Sequence, residues 1–400
     1  MIPTQRDWFN ENFTDEKYQE YLNYIKKDFP GALDFRVAET PVFIGNIFKQ
    51  KMLSVCETII DEIVSPNFKD ATQKAIPSYI NVKAEEGIPH FLIFDFGICE
   101  NDSNGEVEPM LIEMQGFATL FAYQLHQYKA AAHAYHLPES FSPFFKDFDE
   151  YKTIQLLKEV IIGESSPEHT ILLEIFPEKQ KTRIDFEYTR KYLGIEIVCV
   201  TKLVKEGNNL FYEKNGKLIK IERIYNRLIF DELYRQTPEV QEKAKVLFED
   251  LDVQWVTHPN WFYRISKYAL PFLNHPNIPK TFFLKDLAEI PHDLENYVLK
   301  PLFSFAGNGV IIDVTREDIE RIRDPENYIL QKKVNYIPII RTMDDNAKAE
   351  IRVFYLWKEG ELRPVAAYNL ARLSKGKMIS VALNKNKTWV GGSFALFGAE

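Results

Sequence analysis

Apolar positions recur every three or four residues through the first part of the chain. Tyr18, Tyr21, Leu22 and Ile25 fall on one stripe, which predicts a helix over 15–25. A second helix is predicted from Gly45 to Val64, stopped by Pro66. The period then changes. Phe91-Leu-Ile-Phe-Asp-Phe-Gly-Ile and Pro109-Met-Leu-Ile-Glu-Met-Gln read as strands around the polar turn Asn101-Asp-Ser-Asn-Gly, and 118–135 returns to helix. From about Tyr151, helices (151–160, 181–193) alternate with strands (170–176, 195–200). That rhythm predicts a small parallel sheet with helices on its faces, an α/β arrangement. A hairpin is expected over 208–222 around Asn215-Gly216, and Ile224-Tyr-Asn-Arg begins the next strand. Past Pro279 come short strands at 297–300, 310–314 and 328–332, then longer ones at 351–357 and 364–370.

Composition narrows the class. Hydrophobic residues make up 45% and charged residues 27%, the balance of an ordinary globular protein. With 49 Lys and Arg against 58 Asp and Glu, the net charge is −9, so no broad basic surface exists for nucleic acid. Cys56, Cys99 and Cys199 lie far apart with no CxxC spacing, which predicts free thiols in a reducing compartment. No run of about 18 apolar residues predicts a membrane span, and the first residues, Met1 to Trp8, hold no apolar secretion signal. The expectation is a cytoplasmic protein with neither membrane nor nucleic-acid partner. Oligomeric state leaves no mark in the sequence.

The hairpin over 91–115 carries candidate chemistry. Side chains alternate faces along a strand, so Leu92, Phe94 and Phe96 are expected to share one face with Met110, Ile112 and Met114. Asp95, Glu113 and Gln115 fall on the other. A turn centred on Asn104 sets Asp95 directly opposite Glu113. Facing carboxylates repel unless a cation lies between them, and oxygen-only ligands suit Mg²⁺. An exposed polar face in which a Lys or Arg neutralises one acid gives the same pattern.

Tyr297-Val-Leu-Lys300-Pro-Leu-Phe-Ser-Phe-Ala-Gly307-Asn-Gly309-Val is a strand followed by a loop. Loop glycines leave backbone amides free for phosphate oxygens, and Lys300 adds a point charge beside them. An ordinary turn beside a surface lysine reads the same way. Tyr328-Ile-Leu-Gln331-Lys-Lys-Val334 offers an apolar edge with polar ends, which an adenine can use and a core strand can equally provide. Glu350 and Arg352 share a strand face, and Arg363, Arg372 and Lys375 follow, a basic cluster fit for a triphosphate or a carboxylate.

In this order the segments resemble the ATP-grasp superfamily, and more narrowly its circularly permuted branch that includes glutathionylspermidine synthase. Phe94-Asp95-Phe96 and Leu111-Ile-Glu113-Met-Gln115 are similar to the branch's metal-binding strands. Leu193-Gly-Ile-Glu-Ile-Val, Ile221-Glu-Arg-Ile-Tyr-Asn-Arg227 and Ser266-Lys267-Tyr-Ala-Leu-Pro-Phe-Leu resemble its middle region. Tyr297 to Gly309 and Tyr328-Ile-Leu-Gln331 resemble its lysine strand and hinge, so the similarity spans roughly residues 90–393. The resemblance implies an ATP-grasp-like fold of permuted order with an inserted Rossmann-like unit. Its implied parts are a helical segment 1–85, core parts 86–150 and 346–400, the inserted α/β unit 151–278 and a lid 279–345.

The same resemblance implies an ATP- and Mg²⁺-dependent carboxylate–amine ligase acting through an acylphosphate, with a small-molecule acid and amine as substrates. Asp95, Glu113 and Gln115 would bind Mg²⁺, Gln115 standing where the family has Asn. Lys267, Lys300, Gly307, Gly309, Gln331 and Val334 would bind ATP, and Lys300, Arg352 and Arg372 would serve the chemistry. The family often has an Arg two residues before the aspartate, where this chain has Ile93. A catalytically silent nucleotide binder is the alternative. A glycosidase built on Asp95 and Glu113 would explain neither the lysine strand nor the middle region. His90, His126, His133 and His136 have no metal-ligand spacing to the acids and are expected to be ordinary helix and loop residues.

Overall fold

The computed structural model describes residues 1–400 except 86, 102–104, 304–308, 378, 380–383, 385 and 400. The amino-terminal periodicity becomes helices Pro3–Asn12, Asp15–Lys26 and Asn46–Ile63. The Thr14 hydroxyl caps the second by accepting from the Lys17 amide, with Asp15 and Glu16 in its first turn. The third turns Met52, Val55, Cys56, Ile59, Ile60 and Ile63 inward. Before it lies a strand that periodicity does not reveal, Val42–Gly45, which pairs in parallel with Ala395–Gly398. Its residues are all buried, so no alternation marks it.

An antiparallel sheet forms the centre of the fold. Its order runs Val107–Gln115, Phe91–Glu100, Lys348–Leu356, Val365–Ser374 and Gly391–Ser393. Asn335–Tyr336 continues one edge of the Phe91–Glu100 strand. Asp95 faces Glu113 across the hairpin, as the turn symmetry predicts, but a bulge after Asp95 shifts the remaining pairs, so that Phe96 faces Leu111. The bulge exchanges faces: Leu111 and Met114 join the core, whereas Met110 and Ile112 stay partly exposed.

One sheet face, with Phe94, Phe96, Ile351 and Val353, packs on the Asn46–Ile63 helix. The other face is divided. Its apolar end (Phe91, Ile93, Phe354, Tyr368) packs on helix Phe121–Tyr135, and its polar end carries Asp95, Glu350, Arg352 and Arg372. Each fully buried aliphatic or aromatic side chain contributes about 1.5–3 kcal/mol to folding.

The αβ rhythm gives a four-stranded parallel sheet in the order Gln254–Val256, Arg223–Asn226, Thr170–Glu174, Glu196–Cys199. Asn215 (φ 53°) and Gly216 (φ 76°) make the left-handed two-residue turn of the 209–221 hairpin. Asp185 ties this unit to the centre. Its Oδ1 accepts from the Ala122 and Tyr123 amides at 2.9 Å, capping a helix whose own N-cap is Leu120, and its Oδ2 accepts from Arg227.

A third sheet orders Thr281–Phe283, Tyr328–Lys332 and Tyr297–Pro301 antiparallel. The expected strand over 310–314 reduces to one bridge, Leu299 to Ile311, while Val314 packs into a small cluster with Leu294 and Leu299. Cys56, Cys99 and Cys199 form no disulfide among the described residues. No helix among the described residues is long and apolar enough to cross a membrane.

Candidate functional site

The polar end of the divided face gathers most of the residues singled out in the sequence. Sheet register brings Arg352 opposite Asp95 and Arg372 opposite Glu350. Asp95 is fully buried, and both of its oxygens are taken. Arg352 Nε donates to Oδ1 and Nη2 to Oδ2, each at 2.6 Å, and Arg372 Nη2 donates to Oδ2 at 2.9 Å. The same Arg372 nitrogen donates to Glu350 Oε2 at 2.7 Å, and the Tyr336 hydroxyl donates to Glu350 Oε1. Gly97 makes this possible: a Cβ there would meet Tyr336 Cε1 at 2.6 Å, so only glycine lets that ring lie across the strand.

Two lysines reach the hairpin from other elements. Lys300, on the Tyr297–Pro301 strand, donates to the Ile112 carbonyl at 3.2 Å and to Gln331 Oε1 at 2.5 Å. Gln331 in turn donates to Thr281 Oγ1 at 3.1 Å, which fixes the amide's orientation. Lys267 opens the turn Lys267–Phe272, capped by the Ser266 hydroxyl. That stretch lies against the hairpin because the Gly116 amide donates to the Ile265 carbonyl, and a Cβ at Gly116 would meet the Trp261 carbonyl oxygen at 2.7 Å. Gln115 donates its amide to Glu113 Oε1 at 2.7 Å.

The electrostatics follow from burial. Burial pushes the Asp95 carboxyl up, but the adjacent Arg352 and Arg372 more than offset it and hold it below its ordinary value. Glu350 is raised, burial outweighing Arg372. Burial lowers Lys300 from 10.5 to about 8, with Glu113 opposing and Lys267 adding to the fall. Lys267 is lowered for the same reason, again against Glu113. Arg372 is raised, since Glu350 and Asp95 outweigh its burial.

Asp95, Glu113, Gln115, Lys267, Lys300, Gln331, Arg352 and Arg372 thus form one connected cluster. Val334 sits half-buried in the two-residue link between Tyr328–Lys332 and Asn335–Tyr336. Gly309 has φ 73°, and a Cβ on it would meet Pro301 Cγ at 2.8 Å, so glycine is required there. Gly307 lies outside the described residues. His90 contacts Glu359, His126 stacks on Tyr24 and Tyr188, and His133 pairs with Glu20. Tyr336 and Gly97 were missed from the sequence, because nothing local marks a tyrosine that crosses to a neighbouring strand. Glu350 was legible only as the face-mate of Arg352.

A magnesium ion held by Asp95, Glu113 and Gln115 would have to share Asp95 with two guanidinium groups. Both Asp95 oxygens already accept from guanidinium groups. No group of three or more His, Cys, Asp and Glu among the described residues is placed to hold a metal. What the geometry offers is a carboxylate neutralised by arginine, on a buried rather than an exposed face.

No family model matches the sequence, and no curated protein matches it. Among solved structures, the chain is similar to a glutathione synthetase-like effector from Globodera pallida in its apo form. That likeness covers 98% of this chain and 99% of the other, with a TM-score of 0.57 and 10% sequence identity. The two share a fold, a mixed α/β architecture of several sheets that is ATP-grasp-like.

Proposed function

We propose that this chain binds ATP where Lys267 and Lys300 meet the Asp95–Glu113 hairpin, and that its reaction class is the ATP-dependent joining of a carboxylate to an amine. The observation that carries the binding site is the convergence of two buried lysines, from separate elements, on the strand that bears Glu113. Glu113 offsets only part of the cost of burying these two ammonium groups, and a triphosphate would add further negative charge. In this reading Gln331 to Val334 edge the adenine, and the backbone around Gly309 lies along the phosphates. Segments 86–150 and 346–400 are then the core, 279–345 the lid and 151–278 the inserted unit, in the permuted order of the glutathionylspermidine synthase branch.

The substrate carboxylate attacks the γ-phosphorus, ADP leaves, and the amine displaces phosphate from the acylphosphate. Such transfer needs positioning and charge neutralisation rather than a nucleophilic side chain. Calorimetric titration with a non-hydrolysable ATP analogue tests the site. Binding that weakens at least tenfold in Lys267→Ala and Lys300→Ala supports it, and no binding by the intact protein refutes it. A second reading, nucleotide binding without turnover, is favoured by Ile93. That side chain is fully buried in an apolar cluster with Phe121 and Phe354, where the family resemblance expects an arginine. ADP release across a panel of acids and amines separates the two.

A further inference from the structure

We infer that Arg352 and Arg372, and not a divalent cation, neutralise the phosphates bound at this site. The inference rests on the nucleotide reading and deepens it. Arg352 meets Asp95 as a two-pronged fork, the strongest geometry a guanidinium and a carboxylate can adopt. Arg372 bridges Asp95 and Glu350 through one nitrogen. A magnesium ion needs carboxylate oxygens with free lone pairs in a near-octahedral shell. To ligate Asp95 it would have to compete with Arg352 at Oδ1 or with both arginines at Oδ2, and any guanidinium it displaced would be left as a partly or fully buried charge without its partner.

Formal charges at the site leave a small positive excess. Arg352, Arg372, Lys267 and Lys300 against Asp95, Glu113 and Glu350 give 4 − 3 = +1 before any ligand arrives. A polyphosphate brings the opposite charge to this excess. Arg372 is also reachable from solvent, its side chain being 35% exposed. Arg352 stands on the strand next to Ile93, whose own cross-strand partner is Phe354, two residues along. The guanidinium that the family resemblance expects at position 93 is thus supplied from the adjacent strand.

The test is calorimetric titration of the intact protein with β,γ-imido-ATP and, separately, with inorganic tripolyphosphate, each in excess EDTA and in excess Mg²⁺. The expected result is metal-free binding of both probes, no weaker than about threefold relative to Mg²⁺, together with a loss of about tenfold or more in Arg372→Gln. The wild-type comparison stands even if a variant fails to fold. Binding at least tenfold tighter with Mg²⁺ overturns the inference and leaves the nucleotide reading intact. Tripolyphosphate binding without nucleotide binding does the reverse. No binding of either probe in either condition overturns both.

Discussion

Burial of the Lys300 ammonium lowers its pKa from 10.5 to about 8. Below pH 8 both folded and unfolded chains carry the proton, and the folded chain bears the whole cost of burying it. At 1.36 kcal/mol per pKa unit that cost is about 3 kcal/mol. Between pH 8 and 10.5 the unfolded chain holds the proton more tightly, so stability rises with pH and the cost is gone above 10.5. Lys300→Met keeps the stem and removes the charge. It also removes the bonds to Gln331 Oε1 and the Ile112 carbonyl, which takes back about 1–2 kcal/mol. The variant is therefore expected to be about 1–2 kcal/mol more stable than the wild type at pH 7. That advantage should shrink as pH rises and reverse near pH 10, while polyphosphate binding is lost throughout. Urea unfolding of both proteins from pH 6.5 to 10.5 measures it. A stability difference that does not change with pH would refute the reasoning, because the burial cost would then lie elsewhere.

Gly97→Ala should destabilise the protein by about 1–3 kcal/mol through the clash with Tyr336, read as a lower urea midpoint. Arg227→Met strands the buried Asp185 carboxylate and should cost about 3–5 kcal/mol by the same measurement, with Arg227→Lys intermediate. His126 is buried, and burial lowers its pKa from 6.5 to about 4. The unfolded chain therefore binds a proton that the folded chain refuses, and stability falls as pH drops from 6.5 towards 4, by about 3 kcal/mol in all. His126→Phe, which keeps a ring between Tyr24 and Tyr188, should flatten that part of the pH–stability profile.

The hairpin was legible because its information is local. Counting outward from the polar stretch 101–105, whose residues 102–104 lie outside the described residues, predicted the pairing of Asp95 with Glu113, and alternation assigned Leu92, Phe94 and Phe96 to the core. The bulge after Asp95 was not legible, since an extra residue in a ladder leaves no compositional trace, and it put Leu111 where Met110 and Ile112 were expected. The strand over 310–314 failed for a related reason: its apolar residues are held by packing in a small cluster, not by a ladder. At the site, the residue types were readable and their partners were not. That Arg352 would sit across from Asp95, 257 positions away, depends on strand order, which no local period encodes. An acid waiting for a metal and an acid closed by arginine look alike until the neighbouring strand is known.

The parallel pairing of Val42–Gly45 with Ala395–Gly398 joins residues 395 − 42 = 353 positions apart. Among the described residues, the early strand has no other sheet partner. During synthesis it must therefore wait, with its following helix unanchored on that side, until Phe397 has left the ribosome. Its apolar side chains lack that partner while those 353 positions are made, when such segments are most prone to aggregate. Closing so long a loop is slow. This strand pair should thus be among the late contacts to form, and the early strand needs shelter until its partner has been made.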